Sequence, residues 1–190
     1  MSVGRSAEWE GASEDVSKGA DPWTILRMIL WSADYLTDKG VESGRLDAEW
    51  LLAAALGVDR LQLYLQHDRP LSREEREAFK PLLRRRASRE PLQYIIGRTG
   101  FRQLELKTDS RVLIPRPETE VLVQEVLDWA SRRAGSIGRV CDGRLGRVWN
   151  GGMGRVWDMG TGTGAVALSL AAEGACTRVV ATDVSPEALS

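Results

Sequence analysis

Apolar residues recur at helical spacing through the first ninety positions, then give way to alternation and to short buried runs. Ile25, Ile29, Ala33 and Leu36 share one helical face. Asp21 stands where an N-cap belongs and Pro22 at a first helical position, so the spacing predicts a helix to about Lys39, closed by Gly40. Leu46, Trp50, Leu51, Ala54 and Ala55 predict a second helix that ends at Gly57. Asp59 caps a short third one carrying Leu61, Leu63 and Leu65, and Ser72 with Glu75 matches a capping box that opens a fourth, running to about Arg89. Joined by short polar turns, these elements read as a compact helical domain without a cofactor motif.

From Phe101 the period changes to two. Leu104 and Leu106 alternate with Glu105 and Lys107, Asp109-Ser110 offers a turn, and Val112-Leu113-Ile114 offers a return strand, which together predict a hairpin. Pro115 and Pro117 bracket Arg116 and hold its backbone extended, while Pro117, Glu118 and Glu120 make a favourable first turn for a helix through Val121, Val123, Val126, Leu127 and Ala130. Three copies of one short unit follow, beginning at Gly138, Gly146 and Gly154. Copies this short and glycine-rich bury no continuous core, so the first two are expected to form a loose surface loop.

The third copy runs through Val156-Trp157, a short strand signal, into Asp158-Met159-Gly160-Thr161-Gly162-Thr163-Gly164. Ala165 to Ala172 is a strong helix former, and Arg178 to Asp183 reads as a second buried strand. The result is a β-loop-α-β unit whose right-handed crossover makes the strands parallel and puts the loop at their carboxyl edge, where ligands of such sheets bind.

Composition narrows the class. An apolar fraction of 43% with 26 basic against 27 acidic residues describes a globular chain, and a net charge of -1 exerts no global pull on nucleic acid. Cys141 and Cys176 form no C-x-x-C pair and the single histidine, His67, has no metal-ligand neighbour, so neither a disulfide framework nor a metal is expected. His67 reads as a helix-end residue, and the cluster Arg84, Arg85, Arg86 and Arg89 as a solvated helix face at a negative dipole end, with contact to RNA or an acidic partner as the alternative. Acidic residues between Met1 and Ala20, with no apolar run, predict no signal peptide, and no long apolar span predicts a membrane anchor. A cytoplasmic location is expected.

The glycine loop carries the chemistry. Glycines 160, 162 and 164 allow a tight turn and close approach of a ligand to backbone. Asp183, about 20 residues on at the next strand's end, is placed to pair with ribose hydroxyls. Ala165 lets the loop satisfy a dinucleotide fingerprint as well, but Asp158, two residues before the first glycine, would repel a pyrophosphate. A carboxylate there suits a ligand with an ammonium and a sulfonium group, as in S-adenosylmethionine. The blander alternative is that both acids merely cap strand ends around a tight turn.

Four blocks then carry a resemblance: Gly44-Arg45-Leu46-Asp47-Ala48-Glu49, Pro91-Leu92-Gln93-Tyr94-Ile95-Ile96-Gly97 with Phe101, Ile114-Pro115-Arg116-Pro117-Glu118-Thr119-Glu120, and the loop from Asp158 to Gly164 with Ala181-Thr182-Asp183. In these the chain resembles bacterial peptide-chain-release-factor N5-glutamine methyltransferases. The resemblance implies an α/β protein in which a helical N-terminal domain precedes the first half of a Rossmann-like S-adenosylmethionine methyltransferase sheet. The implied layout is a flexible tail over 1–20, a helical substrate-recognition domain over 21–90, a hairpin linker over 91–116 and an incomplete methyltransferase domain over 117–190, with 135–153 a repeat-derived loop.

By the same resemblance Asp158, Gly160, Gly162, Gly164, Asp183 and Phe101 would contact the methyl donor, Arg116 would line the substrate cleft, and peptide chain release factors would be the partners. The family's Asn-Pro-Pro-Tyr segment, which orients the substrate amide nitrogen, does not occur in the 190 residues. An amide nitrogen is a poor nucleophile because its lone pair is delocalised into the carbonyl. The chain is therefore expected to hold the donor side only, as an N-terminal portion inactive by itself. Two other readings stay open: a non-catalytic protein that binds a translation factor, and a methyltransferase acting on a nucleic-acid base amine.

Overall fold

The structure is a computed structural model that describes residues 22–134, 153–174 and 176–189. It divides into two compact units between Ile96 and Gly97.

The first unit is helical: α1 (Ile25–Asp38), α2 (Gly44–Leu56), α3 (Arg60–Leu65), α4 (Arg73–Ala87) and α5 (Leu92–Ile96). The first helix starts three residues later than Pro22 suggests, and Asp21 lies outside the described residues. Thr24 is its N-cap, with Oγ1 accepting from the Arg27 amide at 3.3 Å. Trp23 and Thr24 are held extended instead: the Leu71 amide donates to the Trp23 carbonyl at 2.8 Å, and Thr24 bridges Pro70. Strand-like bonding to residues 69–71 thus overrides the helix-start signal at Pro22.

On α1, Ile25, Met28, Ile29, Ser32, Ala33 and Leu36 face inward, and they pack with Leu51, Leu52, Leu63, Phe79 and Leu83 from the next three helices. Gly57 ends α2 in the left-handed conformation, and Ser72 with Glu75 forms the expected capping box on α4. Gly44 opens α2 against α1. A Cβ there would stand 2.7 Å from the Ala33 carbonyl and from Thr37 Oγ1, so only glycine permits this approach. The short α5 was unannounced by the alternating pattern sought in this region, and its Ile95 joins the helical core.

Two carboxylates lie inside this unit. Asp47 is 3% exposed and accepts from Arg86 Nε at 2.6 Å and from Ser43 Oγ at 2.9 Å. Glu49 is 2% exposed and accepts from Arg60 at 2.6 Å, Tyr64 at 2.7 Å and Arg45 at 3.3 Å. Burial alone would raise the Glu49 carboxyl, but these three donors together hold it below its ordinary value. Arg86 is therefore a strut between α2 and α4 and not part of a solvated face, which corrects the reading of the arginine cluster. Arg85 pairs outward with Glu90. His67 sits in the turn after α3, half exposed, against Asp68 and the Tyr64 carbonyl.

The second unit mixes strand and helix. β1 (Arg98–Phe101) pairs antiparallel with β2 (Leu104–Lys107), Phe101 opposite Leu104, so the hairpin turns at Arg102-Gln103. This corrects the turn expected at Asp109-Ser110. Asp109 Oδ1 accepts from the Arg111 amide at 3.0 Å, and the Val112 amide donates to the Asp109 carbonyl, a local turn that uses up the donors a return strand would need. The Arg111 guanidinium beside Asp109 holds that carboxyl down to about 2.

After Arg116, α6 (Pro117–Ala134) begins on its proline as expected. β3 (Met153–Met159) and β4 (Cys176–Thr182) pair in parallel with Val156 opposite Val179 and Asp158 opposite Ala181, and α7 (Ala165–Ala172) connects them. One face of this pair packs with α6, α7 and the hairpin around Phe101, Leu106, Val123, Leu127, Ala165 and Leu170. On the other face Trp157 and Met159 are 67% and 77% exposed. The first two repeat copies, including Cys141, lie outside the described residues.

Candidate functional site

The residues from Asp158 to Gly164 connect the end of β3 to the start of α7. Gly160, Gly162 and Gly164 have φ of 78°, 53° and 76°, a region where a side chain is strained. At Gly160 and Gly162 an added Cβ would meet nothing within 4 Å, so backbone conformation and not crowding within the protein demands glycine there. That same open space leaves the peptide backbone accessible to a ligand. The loop is tied to β4 by the Gly160 and Thr161 amides, which both donate to the Thr182 carbonyl, at 2.8 and 3.0 Å.

Two carboxylates flank it. Asp158 Oδ2 accepts from Thr161 Oγ1 at 2.7 Å and from the Ala167 amide in the first turn of α7 at 3.2 Å. Asp183 follows β4, with Oδ2 accepting from the Gly162 amide at 2.8 Å and Oδ1 from the Ser185 amide at 2.9 Å. The Ser185 and Gly162 amides hold the Asp183 carboxyl below its ordinary value, so it is an anion over the whole physiological range. Sequence reading placed these five residues at one edge, and the structure brings them together there.

The other two candidates stand elsewhere. Phe101 is 2% exposed and belongs to the core of the second unit, where its ring packs among Leu106, Val123 and Leu127. Arg116 is exposed just before α6, and among the described residues its side chain makes no hydrogen bond or ion pair; its carbonyl accepts from the Thr119 amide.

Sequence reasoning missed two features. Thr161 holds Asp158 by a hydroxyl bond; its position inside a glycine motif was the available signal. Arg102 adopts a φ of 51° at the hairpin turn and grips Glu173, at the end of α7, through two bonds of 2.6 and 2.8 Å. It also donates to Gln124 and to the Glu120 carbonyl, so one guanidinium joins the hairpin, α6 and α7. No local pattern foretells a pair 71 residues apart.

Among the described residues no His, Cys, Asp and Glu cluster could hold a metal ion, and no helix is long and apolar enough to cross a membrane. Next to the loop, an open pocket of about 220 Å³ is lined by Thr163, Leu168, Leu106, Val112, Arg111 and Glu187, among others.

A helical unit followed by a mixed unit with a glycine loop between parallel strands, acids at both strand ends, defines a protein of mixed helix and strand with a candidate ligand site at its sheet edge. Comparison with known proteins shows what the chain is similar to. Residues 27–97 match the family model described as PrmC N-terminal domain. The chain is 42% identical over 168 residues to a release factor glutamine methyltransferase of Geobacter sulfurreducens, 39% over 168 residues to one of Rhodopirellula baltica and 38% over 167 to one of Chlorobaculum tepidum. Each alignment covers 88% of this chain and 52% of the relative. The chain is similar to release factor glutamine methyltransferases, and it spans about half the length of the curated relatives it matches.

Proposed function

We propose that this chain is the donor-binding N-terminal portion of a protein that transfers a methyl group from S-adenosylmethionine to the side-chain amide of a glutamine in peptide chain release factors, and is inactive by itself; its relatives carry the name release factor glutamine methyltransferase. The helical unit, 21–90 with the adjoining α5, would take part in recognising the release factor, and the second unit would open a Rossmann-like methyltransferase sheet. The site of action would be the cytoplasm, where release factors work.

The observation that carries this reading is the pairing of Asp158 and Asp183 around a glycine loop with open backbone. Asp183 is fixed by two amides and keeps lone pairs for the ribose hydroxyls. Asp158 has one oxygen engaged and Oδ1 without a partner among the described residues, which suits an ammonium group. A dinucleotide pyrophosphate in this loop would meet two carboxylates, Asp158 and Asp183. Arg116 would face the substrate, since its guanidinium is unengaged; Phe101 would support the site from the core without touching the donor.

S-adenosylmethionine supplies an activated methyl group on a sulfonium. The protein's own part is to bind and orient, because in-line displacement is accelerated mainly by position and by a fixed polar environment. Isothermal calorimetry tests the donor reading directly. The chain should bind S-adenosylmethionine and not NAD, and Asp183→Asn, which keeps an acceptor for Gly162 but loses the charge, should weaken binding by about tenfold. Tighter binding of NAD, or an unaltered affinity in Asp183→Asn, would overturn it.

A further inference from the structure

The two site carboxylates are held by different means. Asp183 is fixed by two backbone amides, Gly162 and Ser185, and so needs no particular side chain nearby. Asp158 is fixed by one backbone amide, Ala167 at 3.2 Å, and by a side chain, the Thr161 hydroxyl at 2.7 Å. Both bonds fall on the same oxygen, Oδ2. A carboxylate so held cannot exchange its two oxygens by rotation about Cβ–Cγ without breaking both bonds. Oδ1 is therefore the oxygen left for a ligand, and its direction is set by Thr161 together with the Ala167 amide.

We infer that Thr161 is a positioning residue for the methyl donor, aiming Asp158 Oδ1 at the donor's ammonium group. This rests on the donor reading given above and adds to it which side chain makes Asp158 selective. The loop itself does not depend on the hydroxyl. The Thr161 amide donates to the Thr182 carbonyl at 3.0 Å, and its carbonyl accepts from the Gly164 amide at 2.8 Å. Both backbone groups of Thr161 are satisfied whatever its side chain, so removing the hydroxyl leaves Asp158 held by the 3.2 Å bond from the Ala167 amide alone, without unmaking the turn. The charge-assisted bond lost is the shorter of the two, and a carboxylate held by one bond in place of two is less well aligned with the cation it faces.

The test compares Thr161→Val, which keeps the branched shape and removes the hydroxyl, with Thr161→Ser, which keeps the hydroxyl. Affinities for S-adenosylmethionine and for 5′-methylthioadenosine are measured by calorimetry, the second ligand sharing the adenosine but lacking the ammonium group. Thr161→Val should bind S-adenosylmethionine about tenfold more weakly than the unaltered protein and 5′-methylthioadenosine equally well. Thr161→Ser should restore most of the difference, and amide exchange at Gly160 and Thr161 should stay as protected in both variants. Unchanged S-adenosylmethionine affinity in Thr161→Val overturns the inference, as does an equal loss for both ligands, which would mark a structural role. If the unaltered protein binds neither ligand, the donor reading itself fails; that outcome is distinct from the other two.

Discussion

The two units use buried charge in opposite ways. In the helical unit Asp47 and Glu49 are almost wholly enclosed and every contact they make is to the scaffold: Ser43 and Arg86 for one, Arg45, Arg60 and Tyr64 for the other. In the second unit the acids at the strand ends are only half-buried and are held by uncharged donors of the loop they flank. A buried acid saturated by cations is a joint, while a partly exposed acid fixed by neutral donors is an anion available to a ligand. The block Gly44 to Glu49, which helps carry the family resemblance, is thereby explained as packing: Gly44 for the close approach of α1 and α2, Asp47 and Glu49 for linking α2 to α4 and α3.

The contrast is sharpest in the cores. Among the described residues fourteen buried hydrophobic side chains make one cluster in the helical unit, against six around Phe101 in the second, so the described part of the first has the larger core. Phe79→Ala puts the larger cluster to the test. Its ring is fully buried at the centre of α4's inner face, and truncation should cost about 4 kcal/mol through lost transfer energy and the cavity left behind. Amide exchange read separately for the two units should show protection lost along α1 to α4, with the amides of α7 and β4 little altered. Loss spread evenly over both units would mean that they do not differ in the way their cores imply.

The second unit depends more on a single ion pair. Arg102 and Glu173 have side chains 15% and 16% exposed, and the pair joins the hairpin turn to the end of α7. Arg102→Met should cost about 2 kcal/mol, since it strands a partly buried carboxylate while keeping the length of the side chain. Hydrogen bonding to Arg102 lowers the Glu173 carboxyl from its ordinary 4.5. A depressed folded-state value means that the pair's stabilisation is complete above pH 4.5 and is lost as pH falls through the lower, folded-state value. Chemical denaturation of the second unit across this acid range should therefore be steeper with pH in the unaltered protein than in Arg102→Met. Equal slopes would show that Glu173 gains nothing from its partner.

How much of this was legible beforehand follows from the range of each interaction. The caps at Asp59 and Ser72, the glycine stop at Gly57 and the start of α6 at Pro117 are settled within four residues, and the structure has all of them. The loop and its acids were legible too, because a β-loop-α-β unit fixes its own edge. Three things were not. Residues 23–24 are held extended by a strand-like partner some forty-five positions away, which no helix-start signal reveals. The hairpin turns at Arg102-Gln103, where a left-handed arginine is stabilised by Glu120, Gln124 and Glu173 from two later helices. Phe101 precedes that turn, and whether it faced a cleft or the core depended on the register the turn imposed.

The smallest effect concerns a polar group that neither unit puts to use. Ser32 is fully buried on the inner face of α1, and its hydroxyl has no hydrogen-bond partner. A hydroxyl taken from water without compensation costs about 1 to 3 kcal/mol, and alanine is the better helix former, while the volume lost on removing one oxygen is small. Ser32→Ala should therefore leave the helical unit as stable as before or more stable by up to about 1 kcal/mol, read as a rise in the denaturation midpoint with an unchanged denaturant slope. The direction distinguishes two descriptions of this core. A rise means that α1 packs against α2 and α4 as a dry apolar face whose only charged groups are the paired Asp47 and Glu49. A fall of 1 kcal/mol or more would mean that the Ser32 hydroxyl is satisfied in solution by an enclosed water, and that polar bonding reaches further into the helical unit than its two ion-paired acids.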